Sequence, residues 1–158
     1  MTDYTKTLMQ FRVPRARGSS REVYYSRKYN LIFKVEMNCC SYPGQTEAEE
    51  ARYYSFSEQF RSLFPVVTFL TYRGKRWVVM RKVHTADTYH IHFYLDTAMH
   101  KDTCGIHMRE EIARLYKKPI KNLELVMQFF QCYCLDDLHY HNWGFDDEGN
   151  ICIIDWGL

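Results

Sequence analysis

Asp137, Asn142 and Asp155 stand out in the stretch CLDDLHYHNWGFDDEGNICIIDWGL, residues 134–158. Asp137 and Asn142 are five residues apart in DLHYHN, and Asp155 follows Asn142 by thirteen. Between them, WGF, DDEGN and ICII read as strand, turn and strand. A hairpin returns the chain to its starting point, so Asn142 and Asp155 are expected side by side. Amide and carboxylate oxygens are hard ligands suited to Mg²⁺, which keeps several waters and takes further ligands from phosphates. Asp137, close by, could orient a hydroxyl and receive its proton.

Other elements must position these groups. EVYYSR and LIFKVE read as two strands joined around KYN, a hairpin. TEAEEARYYSFSEQFRSLF then reads as one helix, with Thr46 as its cap and Glu49 at the third helical position. Glu49, Tyr53, Phe56 and Phe60 share one face of that helix. VVTFLTY and WVVMRKV form a second hairpin around the turn RGKR, MREEIARLYKK reads as a helix ending before Pro119, and NLELVMQFFQCYCL is an apolar helix. The stretch from His84 to Gly105 is histidine-rich and carries no clear pattern. The expected class is α+β, with a small β-rich lobe first.

Composition bounds the partners. With 158 residues, 46% of them hydrophobic and 16% aromatic, the chain can bury one sizeable core. The net charge of +2 predicts no nucleic-acid and no membrane partner. The local basic clusters RVPRARGSSR and RGKRW read as solvated faces. No apolar run reaches a membrane span, and MTDYTKTLMQF lacks a signal peptide's apolar stretch. The six cysteines, two of them adjacent at 39 and 40, suggest free thiols in a reducing cytoplasm. Cys132 and Cys134 read as buried packing residues. His90 and His92 in HIH have no second pair at zinc-finger spacing.

D-L-H-Y-H-N followed by D-W-G resembles the catalytic loop and metal-binding segment of the protein-kinase-like superfamily, where the patterns are D-x-x-x-x-N and D-F-G. It is also similar to the aminoglycoside phosphotransferase branch. The resemblance implies a kinase-like fold, with an N-lobe over 1–83 and a reduced, mainly helical C-lobe over 84–158. It implies that Lys34 in LIFKVE contacts the ATP phosphates and that Glu49 pairs with it, with Glu50 and Glu47 as alternatives. GSSREVYY resembles a reduced glycine-rich loop, which implies that Gly18, Ser19, Ser20, Arg21 and Val23 line the ATP site. Met80 falls near the gatekeeper position, and Arg81, Lys82 and Val83 in the hinge. Asp137 becomes the catalytic base, and Asn142 and Asp155 the Mg²⁺ ligands. His139 and His141 read as structural or surface residues.

The sequence departs from the family in several places. Ala16 and Arg21 occupy two of the usual three glycine positions, although Arg21 could itself contact a phosphate. Leu135 and Asp136 replace the His and Arg that precede the catalytic Asp, so control by a phosphorylated activation loop is not expected. The chain stops one residue after D-W-G, which is expected either of a minimal kinase similar to those of phages and bacterial effectors or of a piece cut from a longer chain. The expected activity is ATP- and Mg²⁺-dependent phosphoryl transfer to a protein hydroxyl, Ser/Thr before Tyr, on a protein substrate or host-protein partner. The alternatives are a pseudokinase acting as a binding or inhibitory module, and a small-molecule phosphotransferase, for which the cleft offers only Asp87, Asp96 and Asp102. IHFYLDTAM and the thirteen tyrosines could form an exposed aromatic surface for self-association.

Overall fold

The computed structural model describes residues 4–17, 20–38, 43–85, 121–133 and 142–156. They form α1 (Tyr4–Leu8), β1 (Ala16–Arg17), β2 (Arg21–Ser26), β3 (Leu31–Glu36), α2 (Gln45–Ser55), α3 (Glu58–Arg61), β4 (Val66–Tyr72), β5 (Lys75–Arg81), α4 (Leu123–Cys132), β6 (Trp143–Phe145) and β7 (Ile151–Ile153). The chain divides into two compact units. One is Met1–Ser55 with Val66–Lys82, and the other is Phe56–Pro65 with Val83–Leu158.

The first unit is a five-stranded sheet in the order β1-β2-β3-β5-β4, with every pairing antiparallel. Both expected hairpins form. In the first, Arg21 lies opposite Glu36 and Val23 opposite Lys34, and the turn closes on Asn30 at φ 53°. The second turn is tighter than RGKR suggests. Arg73 and Gly74 alone form it, at φ 51° and 73°, the pair of positive values that suits a two-residue hairpin turn. Lys75 and Arg76 already belong to β5.

Strand alternation divides the side chains between two faces. Leu31, Phe33, Val35, Trp77 and Val79 are buried with Leu8 of α1, and Tyr4, Phe11 and Tyr24 pack around them. Phe11 stacks on Tyr24 at 5.1 Å and meets Phe33 edge-on at 5.2 Å. Fully burying a side chain such as Phe33 or Val79 contributes about 1.5–3 kcal/mol. The opposite face presents Val23, Tyr25, Ile32, Lys34, Val78 and Met80. Helix α2 is tied to this unit by Tyr53 against Phe69 at 5.7 Å and by a two-pronged Arg76–Glu50 pair, with Nε to Oε2 at 2.6 Å and Nη2 to Oε1.

The single helix expected over 46–64 is two helices. The chain breaks at Phe56, and Ser57 caps α3, its Oγ accepting the Phe60 N–H at 3.4 Å. The expected face therefore splits, with Glu49 and Tyr53 in the first unit and Phe56 and Phe60 in the second. Thr46 is not the cap either, because it already lies inside α2. The Glu36 carboxylate takes that role from the neighbouring strand, accepting the backbone N–H of Thr46 at 2.6 Å and of Gly44 at 3.0 Å.

In the second unit α4 buries Leu123, Val126 and Phe129. The Phe129 ring meets Phe56 at 5.2 Å, Phe64 at 5.6 Å and Tyr133 at 5.2 Å. Cys132 is exposed, contrary to expectation. Each step of three residues drifts about 60° around a 3.6-residue helix, so Cys132 ends up on the side away from Leu123. Cys134 and the helix expected at MREEIARLYKK lie outside the described residues, as do His90 and His92.

The expected WGF–ICII hairpin forms as β6 and β7, Trp143 opposite Ile153 and Phe145 opposite Ile151. Its turn is built on Asp146, whose Oδ1 accepts the N–H groups of Glu148 at 2.9 Å and Asn150 at 2.8 Å, with Gly149 at φ 88°. His84 exchanges both backbone hydrogen bonds with Phe145, at 2.7 and 2.8 Å, which adds a third edge to the hairpin. Gly144 permits that approach: a Cβ there would collide with Val83 Cγ2 and stand 3.1 Å from the His84 carbonyl oxygen. Among the described residues no helix is long and apolar enough to cross a membrane.

Candidate active site

The candidate residues fall into two groups, one in each unit. In the first unit, the β2–β3–β5 register sets Val23, Lys34 and Val78 in one row and Ile32 and Met80 in the next, all on the face that α2 shares. Lys34 is half-buried, with Val23 and Val78 as its cross-strand neighbours. Met80 is buried, opposite Ile32 and Val66. Lys82 is exposed just beyond β5; its N–H donates to the Asn30 carbonyl at 3.1 Å, and its Nζ lies 5.1 Å from the Tyr25 ring centre. Gly18 and Ser19 lie outside the described residues.

Four connections lace the start of β2, the end of β3 and the start of α2 together. Ser20 donates its hydroxyl to Gln45 Oε1 at 2.8 Å, and its carbonyl accepts the Met37 N–H at 2.9 Å. Glu36 caps α2. Arg21 Nη1 donates to Glu49 Oε2 at 2.6 Å, with the two side chains only 7% and 1% exposed. The sequence led to Lys34 as the partner of Glu49 and to Arg21 as a phosphate contact. The second of these is corrected: Arg21 stands in a buried ion pair with the helix glutamate Glu49. The signal for this was present in the hairpin register. Residues 21, 23 and 25 of β2 alternate onto the face that carries Lys34, so an arginine at 21 points toward whatever helix covers that face.

Charge on this unit is firmly fixed elsewhere as well. The bond to Glu50 raises the Arg76 guanidinium above its ordinary value, and it remains cationic at any working pH. On the far face of the sheet, burial and then the hydrogen bond to Glu22 push the Tyr24 hydroxyl up to about 12.

In the second unit, Asn142 immediately precedes β6 and Asp155 follows β7 by two residues. The Ile154 N–H donates to the Asn142 carbonyl at 2.8 Å, so the hairpin pairing continues past Trp143–Ile153 to Asn142 and Ile154, and Asp155 is the next residue of the chain. Two contacts fix β7 from outside. Ile153 N–H donates to the Leu63 carbonyl at 2.8 Å, and Asn122 both donates to the Ile151 carbonyl and accepts its N–H, each at 2.8 Å. Trp156, buried against Phe64 at 4.9 Å, anchors the chain just beyond Asp155. Asn142 is buried and Asp155 half-buried. An amide and a carboxylate at the two ends of this hairpin are, by their chemistry, a donor set that fits a hard, oxygen-seeking divalent cation. Val83 opens this unit against Gly144. Asp137, with His139 and His141, lies outside the described residues.

No family model and no curated protein matches the sequence. Among solved structures, the chain is similar to a crystal structure of the protein kinase Rad53, residues 1–466, in complex with AMP-PNP. The TM-score is 0.50 at 16% identity, over 93% of this chain and 37% of that one. At that identity the likeness speaks to the fold. The protein has a kinase-like fold, built on an antiparallel sheet with few helices.

Proposed function

We propose that the protein is a minimal ATP- and Mg²⁺-dependent kinase that transfers the γ-phosphate of ATP to a protein hydroxyl, serine or threonine before tyrosine. The observation that carries the reading is a kinase-like fold in which the hairpin between Asn142 and Asp155 forms and continues to the Asn142–Ile154 bond, in support of the expected amide and carboxylate pair. The Rad53 structure it resembles was crystallised with AMP-PNP, an ATP analogue, in support of a nucleotide ligand here.

In this reading Val23 and Met80 offer apolar contact to the base, and Lys34 holds the phosphates by charge. Ser20 and Arg21, with Gly18 and Ser19, form the loop strand over the nucleotide, while Lys82 and Val83 flank the base at the hinge. Arg21 acts through Glu49, keeping α2 against the sheet on the face that carries Lys34. Asn142 and Asp155 hold Mg²⁺, which supplies neutralisation of the phosphoryl charge when bound. Asp137 orients the substrate hydroxyl. Its oxygen forms the new bond to the γ-phosphorus as the bond to the β-phosphate oxygen breaks; ADP leaves, and the hydroxyl proton passes to Asp137.

One observation favours a second reading, a nucleotide-binding module without turnover. The Arg21 guanidinium, the cation of the expected phosphate loop, is 7% exposed and bound to Glu49, which removes one cation from that loop. Label transfer from γ-labelled ATP with Mg²⁺, with the protein alone and with cell lysate, separates the two. A labelled band that falls at least about 100-fold with Asp155→Ala supports the kinase. Nucleotide binding by thermal shift with no labelled protein supports the binding module.

A further inference from the structure

The two units carry opposite charge. Residues 1–55 and 66–82 hold fourteen Lys and Arg against six Asp and Glu, a formal +8. The whole chain is +2, so the second unit is −6. Among the described residues of the first unit, nine basic side chains are exposed and only one carboxylate, that of Glu47. Ordinary surfaces intersperse the two signs, whereas a field of one sign on a single face steers charged partners.

Five of these cations gather at the β2–β3 turn end of the sheet. Arg15 is tied beside β2 by its N–H to the Val23 carbonyl at 2.8 Å, and its guanidinium sits 5.3 Å from the Tyr25 ring centre. Lys82 approaches the same ring at 5.1 Å. Arg27 and Lys28 lie in the turn itself, Lys28 5.0 Å from the ring of Tyr29, and Arg81 pairs across from Leu31 at the same end. All five are exposed, and none has an ion-pair partner among the described residues. The turn beneath them is pinned: Tyr25 donates its hydroxyl to Asn30 Oδ1 at 2.9 Å, and the Lys82 N–H reaches the Asn30 carbonyl. The cations are therefore presented on an ordered base.

We propose that this end of the sheet docks an acidic segment of a partner protein. Two observations favour a short acidic peptide over a nucleic acid. The rings that could stack bases, Tyr25 and Tyr29, already have cations over them, whereas single-strand binding uses open aromatic faces. A nucleic acid carries its charge uniformly along its length, while a short acidic segment confines its charge to a patch the size of one sheet end. Calling the segment part of a substrate rests on the kinase reading, since Lys82 belongs both to the patch and to the candidate nucleotide site; the docking itself does not.

The test is fluorescence anisotropy on the full chain, without ATP, using a labelled twelve-residue Glu/Asp-rich peptide. A neutral peptide of the same length, a twelve-nucleotide DNA strand and vesicles containing phosphatidylserine serve as comparisons. The acidic peptide should bind best and weaken as salt rises. Arg27→Glu with Lys28→Glu should weaken it at least about tenfold, and Arg27→Lys should not. ATP binding by thermal shift should be unchanged in these variants, which also shows that they fold. An acidic peptide that binds no better than the neutral one, or equally well to the charge-reversed variant, overturns the proposal. So does tighter binding of DNA or vesicles. Peptide binding without label transfer from ATP would sink the kinase reading and leave the docking surface standing.

Discussion

The Arg21–Glu49 pair is where single side chains matter most. Both partners are nearly out of water, and a charge left alone there has no solvent to fall back on. Arg21→Met should cost about 3–5 kcal/mol of unfolding free energy by denaturant titration, and Arg21→Met with Glu49→Met should recover a large part of it. A loss in the single variant below about 1 kcal/mol would mean that water reaches the pair. Sequence reasoning placed Glu49 correctly on a helix and in the first unit, because first-turn acids and an apolar face are local signals. It missed the Arg21 partner, since position 21 was matched to a glycine of the family's loop rather than followed through the strand register. The hairpin between Asn142 and Asp155 was legible because its turn residues are clear. The candidate base Asp137 stands outside the described residues, so its legibility rests on motif alone.

At the level of elements, what could be read locally was read. Strands with alternating patterns and turns rich in Gly, Asn and Asp declare themselves over a few residues. The break between α2 and α3 does not, because the apolar period runs on through Phe56 and Phe60 as though one helix continued. Only the packing of those rings on α4 distinguishes the two. Glu36 as the cap of α2 is hidden for a related reason: it lies ten residues before Thr46 and reaches it through the sheet. Gly144 offers the sharpest test at this scale. Gly144→Ala should destabilise the protein by about 1–3 kcal/mol in thermal or urea unfolding, because the Val83 methyl group must move while the His84 bridge is kept. Adding Val83→Ala should restore part of the loss. If the single variant unfolds like the parent, the Val83–His84 segment does not run against β6 in solution.

On the scale of the whole molecule, the first unit is discontinuous in sequence and the second borrows Phe56–Pro65 from within it. A cut after Lys82 would strip Phe56, Leu63 and Phe64, all buried, from α4 and the β6–β7 hairpin. A 1–82 fragment should accordingly bind a hydrophobic dye such as ANS, and self-associate, more strongly than the full chain. A monomeric, dye-silent fragment would show that 56–65 finds cover within the first unit. This interleaving was not legible in the sequence, where a single boundary near residue 83 looked natural. The kinase-like fold was, because its motifs occur in the right order along the chain.

The borrowed segment also fixes a timetable. During translation β5 is complete once residue 81 has left the ribosome, and the first sheet has all five strands. The ten residues 56–65 must wait for α4, which begins at Leu123, and for β7, which ends at Ile153. At about 5–20 residues per second, some seconds pass with those aromatic side chains held out on an already folded sheet. For that interval the nascent chain offers an apolar hook, open to a chaperone or to a neighbouring nascent copy, and the second unit is assembled onto it last.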